Sequence, residues 1–226
     1  MMTDLIYLQH IDAAFLKPLF NKVVPLGKPG IDTNSNPVFL FGGGTDVSPD
    51  LYNEKISPFS DCPDSRRDKL EAKIYELCLQ KKIPMIGICR GSQFLTVMNG
   101  GALIQHVSNH AGPTHEIKDD MNNVIVANSY HHQMMFPWRS NKPFKVIASA
   151  NPRKSTLYLG QNGTNFFDDY GYTKSWIEKE FTEPEIVWWP ESKCLCIQGH
   201  PEWSKEGGEY QQYVFELIKK YIFLEK

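Results

Sequence analysis

The sequence predicts an α/β fold built around a parallel sheet, and three observations predict it. Short apolar runs at residues 4–8, 38–41 and 84–88 are each bounded by Gly, Pro or polar segments. An amphipathic stretch separates the second run from the third. A further strand-turn-helix pattern surrounds Cys89. Runs this short are strands rather than helices, and strand, helix, strand in that order implies a right-handed crossover and parallel pairing.

Each element then follows in chain order. Over residues 65–82, Leu70, Ile74, Leu77 and Cys78 recur at helical spacing with charges on the other faces. Ser65 with Asp68 three residues on resembles a capping box at the helix start. After Cys89, residues 91–99 read as a helix stopped by Gly100 and Gly101. Residues 106–115 are irregular, crowded with histidines and turn formers. Residues 124–127 and 144–150 read as strands, and 186–189 with 194–198 as a strand pair around Pro190-Glu191-Ser192. A last helix near residues 209–224 carries Val214, Leu217, Ile218, Tyr221 and Ile222 along one stripe. No repeat or linker interrupts the chain, so one domain over residues 1–226 is expected.

Composition narrows the function. The 226 residues carry a formal net charge of −2 with the basic residues spread along the chain. A phosphate-rich partner needs a concentrated basic field, so neither nucleic acid nor a membrane surface is expected. No apolar run reaches the ~18 residues of a spanning helix, and the first residues lack a leader pattern, so a cytoplasmic location is the expectation. Five irregularly spaced cysteines do not make a disulfide scaffold, which raises the question of which thiol could react.

Cys89 answers it. Gly87-Ile88-Cys89-Arg90-Gly91 ends a strand and opens a helix, the cysteine form of a nucleophile elbow. The glycines leave room for the tight turn, and the helix N-terminus favours a thiolate. Acyl transfer also needs two backbone N–H groups aimed at a developing oxyanion. Arg90, following the nucleophile, and Gly43 in the loop Gly42-Gly43-Gly44 are the expected donors. The glycine loop matches neither a dinucleotide nor a phosphate-loop pattern.

The base is found further on. In Gln198-Gly199-His200-Pro201-Glu202 an extended backbone projects His200 and Glu202 to one side. A Cys-His-Glu set results, in which Glu202 fixes the imidazole that serves Cys89. His106, His110 and His115 with Cys194 and Cys196 offer a weaker metal-binding pattern. It lacks any C-x-x-C pair, so no metal is expected.

Together GICRGSQ, GHPEW, LFGGGTDVSP and NSYHHQ resemble the class I glutamine amidotransferase superfamily. Within it the resemblance is to the γ-glutamyl hydrolase (peptidase C26) branch, over roughly residues 38–133 and 186–223. The resemblance implies a flavodoxin-like, doubly wound, mostly parallel sheet with helices on both faces. It further implies a γ-glutamyl thioester on Cys89, release of glutamate, and no cofactor. Gln93, Ser129, Tyr130 and His131 match positions around the glutamyl group. Arg67-Asp68 falls where that branch carries an Arg-Asp pair, an exposed helix position being the other reading.

Two departures stand out against that family. About 37 residues precede the strand at Val38, fewer than expected, and residues 152–184 are longer and richer in aromatics and acids. This stretch reads either as a surface insertion with a small core of its own or as a lid or docking surface. Two functions therefore share the same catalytic set. One is hydrolysis of a γ-glutamyl amide by the protein alone, and the other a glutaminase subunit that delivers ammonia to a synthetase or amidoligase partner.

Overall fold

A computed structural model describes residues 3–8, 11–27 and 37–224. One nine-stranded sheet organises it. Five neighbouring strands run parallel: β1 (Leu5–Tyr7), β2 (Val23–Pro25), β3 (Val38–Phe41), β4 (Met85–Ile88) and β13 (Cys194–Ile197). Four more extend the sheet antiparallel: β7 (Ala111–Asp119), β8 (Val124–Tyr130), β10 (Lys145–Ala150) and β12 (Glu183–Trp189). Across the sheet the order is β2-β1-β3-β4-β13-β12-β10-β7-β8. Two small pairs lie outside it, β5 (Ala102–Ile104) with β9 (Met134–Phe136) and β6 (His106–Val107) with β11 (Tyr158–Leu159).

Alternation along the strands feeds two cores. In β3, Val38 and Leu40 face one side and Phe39 and Phe41 the other. The first side packs against α5 (Glu209–Ile218) through Val214, Leu217 and Ile218, and against Leu16 and Phe20. The second packs against α1 (Ser65–Lys81) through Ile74, Tyr75 and Cys78, and against α2 (Arg90–Met98) through Phe94, Leu95 and Val97. Helices therefore cover both faces, the flavodoxin-like arrangement of an α/β fold.

Local differences from the sequence reading have physical causes. Asp64, not Ser65, caps α1 by accepting from the N–H groups of Arg66 and Arg67, and Asp68 is buried for another purpose. Beyond Ile218 the last helix widens into a π-type turn over Lys219–Leu224, keeping Tyr221 and Ile222 buried. β7 replaces the irregular stretch expected there, because its inward residues include His115 and Asp119 rather than an apolar alternation. Between residues 152 and 184 lie β11, α3 (Phe166–Asp169) and α4 (Lys174–Lys179). Here the aromatics turn inward: Phe166, Phe167 and Phe181 are buried around Phe136 of β9, with Tyr172 and Trp176 packed against them. Among the described residues no helix is long and apolar enough to cross a membrane.

Candidate active site

β3, β4 and β13 are sheet neighbours and parallel, so the segments that follow them emerge at one edge. These segments are the glycine loop 42–44, the turn at Cys89 and the run 198–202. The Cys89 N–H donates to the carbonyl of Ile197 at 2.8 Å, tying the second to the third.

Cys89 sits in the positive-φ half of backbone space, φ 50° and ψ −111°, where side chains other than glycine are strained. The flanking glycines permit the turn for different reasons. A Cβ on Gly87 would fall 2.6 Å from the backbone of Gly91, whereas one on Gly91 would fall 2.1 Å from the carbonyl oxygen of Phe41. The thiol heads α2, and 8% of Cys89 is exposed. Of the other thiols, burial pushes Cys78 and Cys194 up to about 12 and Cys196 well above its ordinary value. Those three are core residues that stay protonated.

His200 leaves β13 through Gly199, where a Cβ would meet the Tyr210 hydroxyl at 2.5 Å. Its Nδ1 lies 2.7 Å from Glu202 Oε1, and its ring stacks on Trp203 with centroids 3.7 Å apart. Burial alone would depress the imidazole, yet hydrogen bonding to Cys89 and Glu202 outweighs it and lifts His200 to about 9. An imidazolium facing Cys89 can hold a thiolate and later give up a proton. The His200 peptide is clamped by Asn128: the His200 N–H donates to Asn128 Oδ1 at 2.6 Å, and Asn128 Nδ2 donates to the His200 carbonyl.

Gly43 is on the same spot. A Cβ there would be 3.1 Å from His200 Cε1 and 3.8 Å from Cys89 Cβ. Arg90 begins α2, and its buried guanidinium pairs with Asp68 and Glu71. Arg67 is likewise drawn in, donating to the carbonyls of Gly42 and Gly43 at 2.8 Å each. It is not an exposed helix residue.

The four residues expected around the glutamyl group separate. Gln93 is buried and donates to the carbonyl of Gln133 at 3.0 Å. Ser129 Oγ donates to the carbonyl of His110 at 2.6 Å. Tyr130 is half exposed and meets Trp203 edge-on. His131 is buried: its Nδ1 lies 2.8 Å from the Gln133 carbonyl and its Nε2 3.7 Å from Glu185. The role of Asn128 as the clamp on His200 is not legible in the sequence, where only its place in NSYHHQ distinguishes it.

Below this edge lies a buried polar group. His115 Nε2 lies 3.0 Å and His110 Nδ1 3.4 Å from Glu185, and His110 Nε2 lies 3.3 Å from Glu183. Hydrogen bonds to the two carboxylates overcome burial, the largest and opposing influence, and lift His110 to about 9. His110, His115 and Glu185 could offer three ligands to a cation, as could Asp46, Asp61 and His132 at the surface.

Comparison with known proteins gives the chain's relatives in sequence and fold. The peptidase C26 family matches residues 35–137. The putative glutamine amidotransferase-like protein YvdE of Lactococcus lactis subsp. lactis (strain IL1403) is 26% identical, over 78% of this chain and 70% of that protein. Its homologue in Lactococcus lactis subsp. cremoris is 32% identical over 50% of this chain and 72% of that protein. The γ-glutamyl-CDP-amidate hydrolase of Campylobacter jejuni is 32% identical over 41% of each chain, so the match spans less than half of that enzyme. Among solved structures, a putative GMP synthase subunit from Thermoplasma acidophilum shares the fold. Its TM-score is 0.57 at 14% identity, covering 96% of this chain and 92% of that one.

Proposed function

This chain belongs to the class I glutamine amidotransferase-like superfamily, in its peptidase C26 branch, and from that premise we propose that it hydrolyses a γ-glutamyl amide through a thioester on Cys89. Membership supports an enzyme of amide hydrolysis in general, and the hydrolase relative of Campylobacter jejuni supports the γ-glutamyl class. The observation that carries the finer reading is the contact set of His200, facing Cys89 on one side and held by Glu202 at 2.7 Å on the other.

The steps follow from those groups. The Cys89 thiolate attacks the γ-carbonyl carbon, and the electron pair moves onto the carbonyl oxygen. N–H groups of Gly43 and Arg90 stabilise that oxyanion. As it collapses, the C–N bond breaks and His200 gives its proton to the departing amine or ammonia. Neutral His200 then takes a proton from water, whose oxygen attacks the thioester. Glutamate leaves, and the thiolate returns opposite a protonated His200. No cofactor enters these steps. Gln93, Ser129, Tyr130 and His131 belong to the wall of the glutamyl site in this reading. Gln93 and His131 serve through the segment they hold rather than by direct contact. We read residues 1–226 as one cytoplasmic catalytic domain, in which 152–184 is an insertion whose small core is shared with Phe136 of β9.

The alternative is a glutaminase subunit that passes ammonia to a synthetase or amidoligase. Its support is the fold shared with a synthase subunit, together with the exposed Tyr130–Trp203 pair beside His200 as a surface for such a partner. Steady-state release of glutamate from L-glutamine and γ-glutamyl amines decides. The hydrolase reading expects turnover by the protein alone, lost in Cys89→Ala, whereas activity only in the presence of a partner favours the second reading.

A further inference from the structure

Arg67 stands behind the glycine loop, on the side away from Cys89. Its Nη2 donates to the Gly42 carbonyl and its Nη1 to the Gly43 carbonyl, both at 2.8 Å. In a planar trans peptide the C=O and the following N–H point in opposite directions. Drawing the carbonyls of Gly42 and Gly43 toward Arg67 therefore turns the N–H groups of Gly43 and Gly44 away from it. The far side is the catalytic side, because a Cβ on Gly43 would reach His200 at 3.1 Å and Cys89 at 3.8 Å.

The grip on Arg67 leads to the other half of the hole. Arg67 Nε donates to Glu71 Oε1 at 2.8 Å, and Glu71 Oε2 accepts from Arg90. Arg90 also pairs with Asp68, which accepts from the Ser48 N–H at 3.2 Å through its other oxygen. Two arginines and two carboxylates thus form a buried, charge-balanced brace. Its ends are the two backbone segments expected to supply oxyanion donors. Gly44 fits this brace closely. Its φ is +138°, and a Cβ there would lie 2.2 Å from Arg67 Nη1. Buried ion networks contribute little net stability compared with apolar packing, whereas bidentate arginine fixes geometry well.

We propose that Arg67 is a positioning residue that sets the oxyanion hole, turning the glycine-loop N–H groups toward the reacting carbonyl and locking that loop, through Glu71, to the residue after the nucleophile. The proposal rests on the functional reading above and adds a residue that does not itself touch substrate.

The test separates oxyanion stabilisation from thiolate reactivity in the full-length protein. Alkylation of Cys89 by iodoacetamide forms no oxyanion, whereas glutamate release from L-glutamine does. In Arg67→Ala, kcat should fall about 100-fold, with KM and the alkylation rate changed by no more than about threefold. Added guanidinium should restore part of kcat, because about 10% of the Arg67 side chain is open to solvent. Arg67→Lys, a point charge that can serve one carbonyl well, should fall between the two. If Arg67→Ala does not fold, Gly44→Ala displaces the guanidinium while keeping its charge, and should show the same split. The proposal is overturned if kcat stays within about threefold of wild type, or if alkylation falls as far as kcat. Wild-type protein that neither releases glutamate nor alkylates at Cys89 overturns the functional reading itself, and this proposal with it.

Discussion

In the proposed mechanism His200 must take up a proton and also give one to a leaving amine, a balance between basicity and acidity. Its partners set that balance: burial lowers it, while Cys89 and Glu202 together raise it to about 9. Deprotonation removes the group that serves the leaving amine, so kcat/KM for glutamate release should fall on an alkaline limb near pH 9. Glu202→Gln removes one of the raising influences, and its pH profile should show that limb displaced to lower pH. A limb that stays in place would separate Glu202 from the imidazole's titration. His200→Ala should lose about 10²–10⁴ in kcat. The linkage to stability has a definite sign. The folded value lies above the ordinary one near 6.5, so this contribution is present below about pH 6.5 and is lost as pH rises through about 9. His110, lifted to about 9 between Glu183 and Glu185, adds a contribution of the same sign. Urea midpoints measured across that window should fall in wild type, and fall less in His110→Gln.

At the scale of elements, the elbow depends on two glycines in unlike surroundings. Gly91→Ala places a Cβ 2.1 Å from the Phe41 carbonyl oxygen, against the neighbouring strand β3. Backbone there cannot yield as a side-chain tip can, so the substitution should cost about 1–3 kcal/mol, read by urea denaturation. This is partly legible in the sequence. The spacing of Gly87, Cys89 and Gly91 announces a strand-turn-helix, but the encounter of Gly91 with β3 is a tertiary contact that no local pattern carries. Likewise, α1 and the parallel strands are legible because apolar periodicity marks a buried face. β7 is not, because it buries His115 and Asp119, and a polar residue that is satisfied by long-range partners looks like a loop in sequence. Arg67 misleads for the same reason. On a charged helix face its inward turn is visible only once the Gly42 and Gly43 carbonyls are in place.

Across the whole molecule, the sheet separates the candidate catalytic centre at β3, β4 and β13 from the antiparallel extension through β12, β10, β7 and β8. Residues 152–184 hold to this frame by aromatic packing about Phe136, and are tied within themselves by Arg153, whose guanidinium donates to the carbonyls of Ile177 and Phe181. Phe136→Ala should lower stability by about 3–5 kcal/mol and expose residues 152–184 to limited proteolysis before the rest of the chain. A cut elsewhere first would assign Phe136 to the main core instead. The composition foretells the aromatic richness of this segment, but not that the rings turn inward around a strand outside it. A covalent γ-glutamyl thioester is the central claim of the proposed mechanism, which rests on Cys89, His200 and Glu202 meeting at one sheet edge. Intact and peptide mass spectrometry of acid-quenched protein, during turnover of L-glutamine or a γ-glutamyl amine, should show a γ-glutamyl adduct on the peptide bearing Cys89 and none in Cys89→Ser. Turnover with no adduct under any quench, or an adduct on another cysteine, would contradict it.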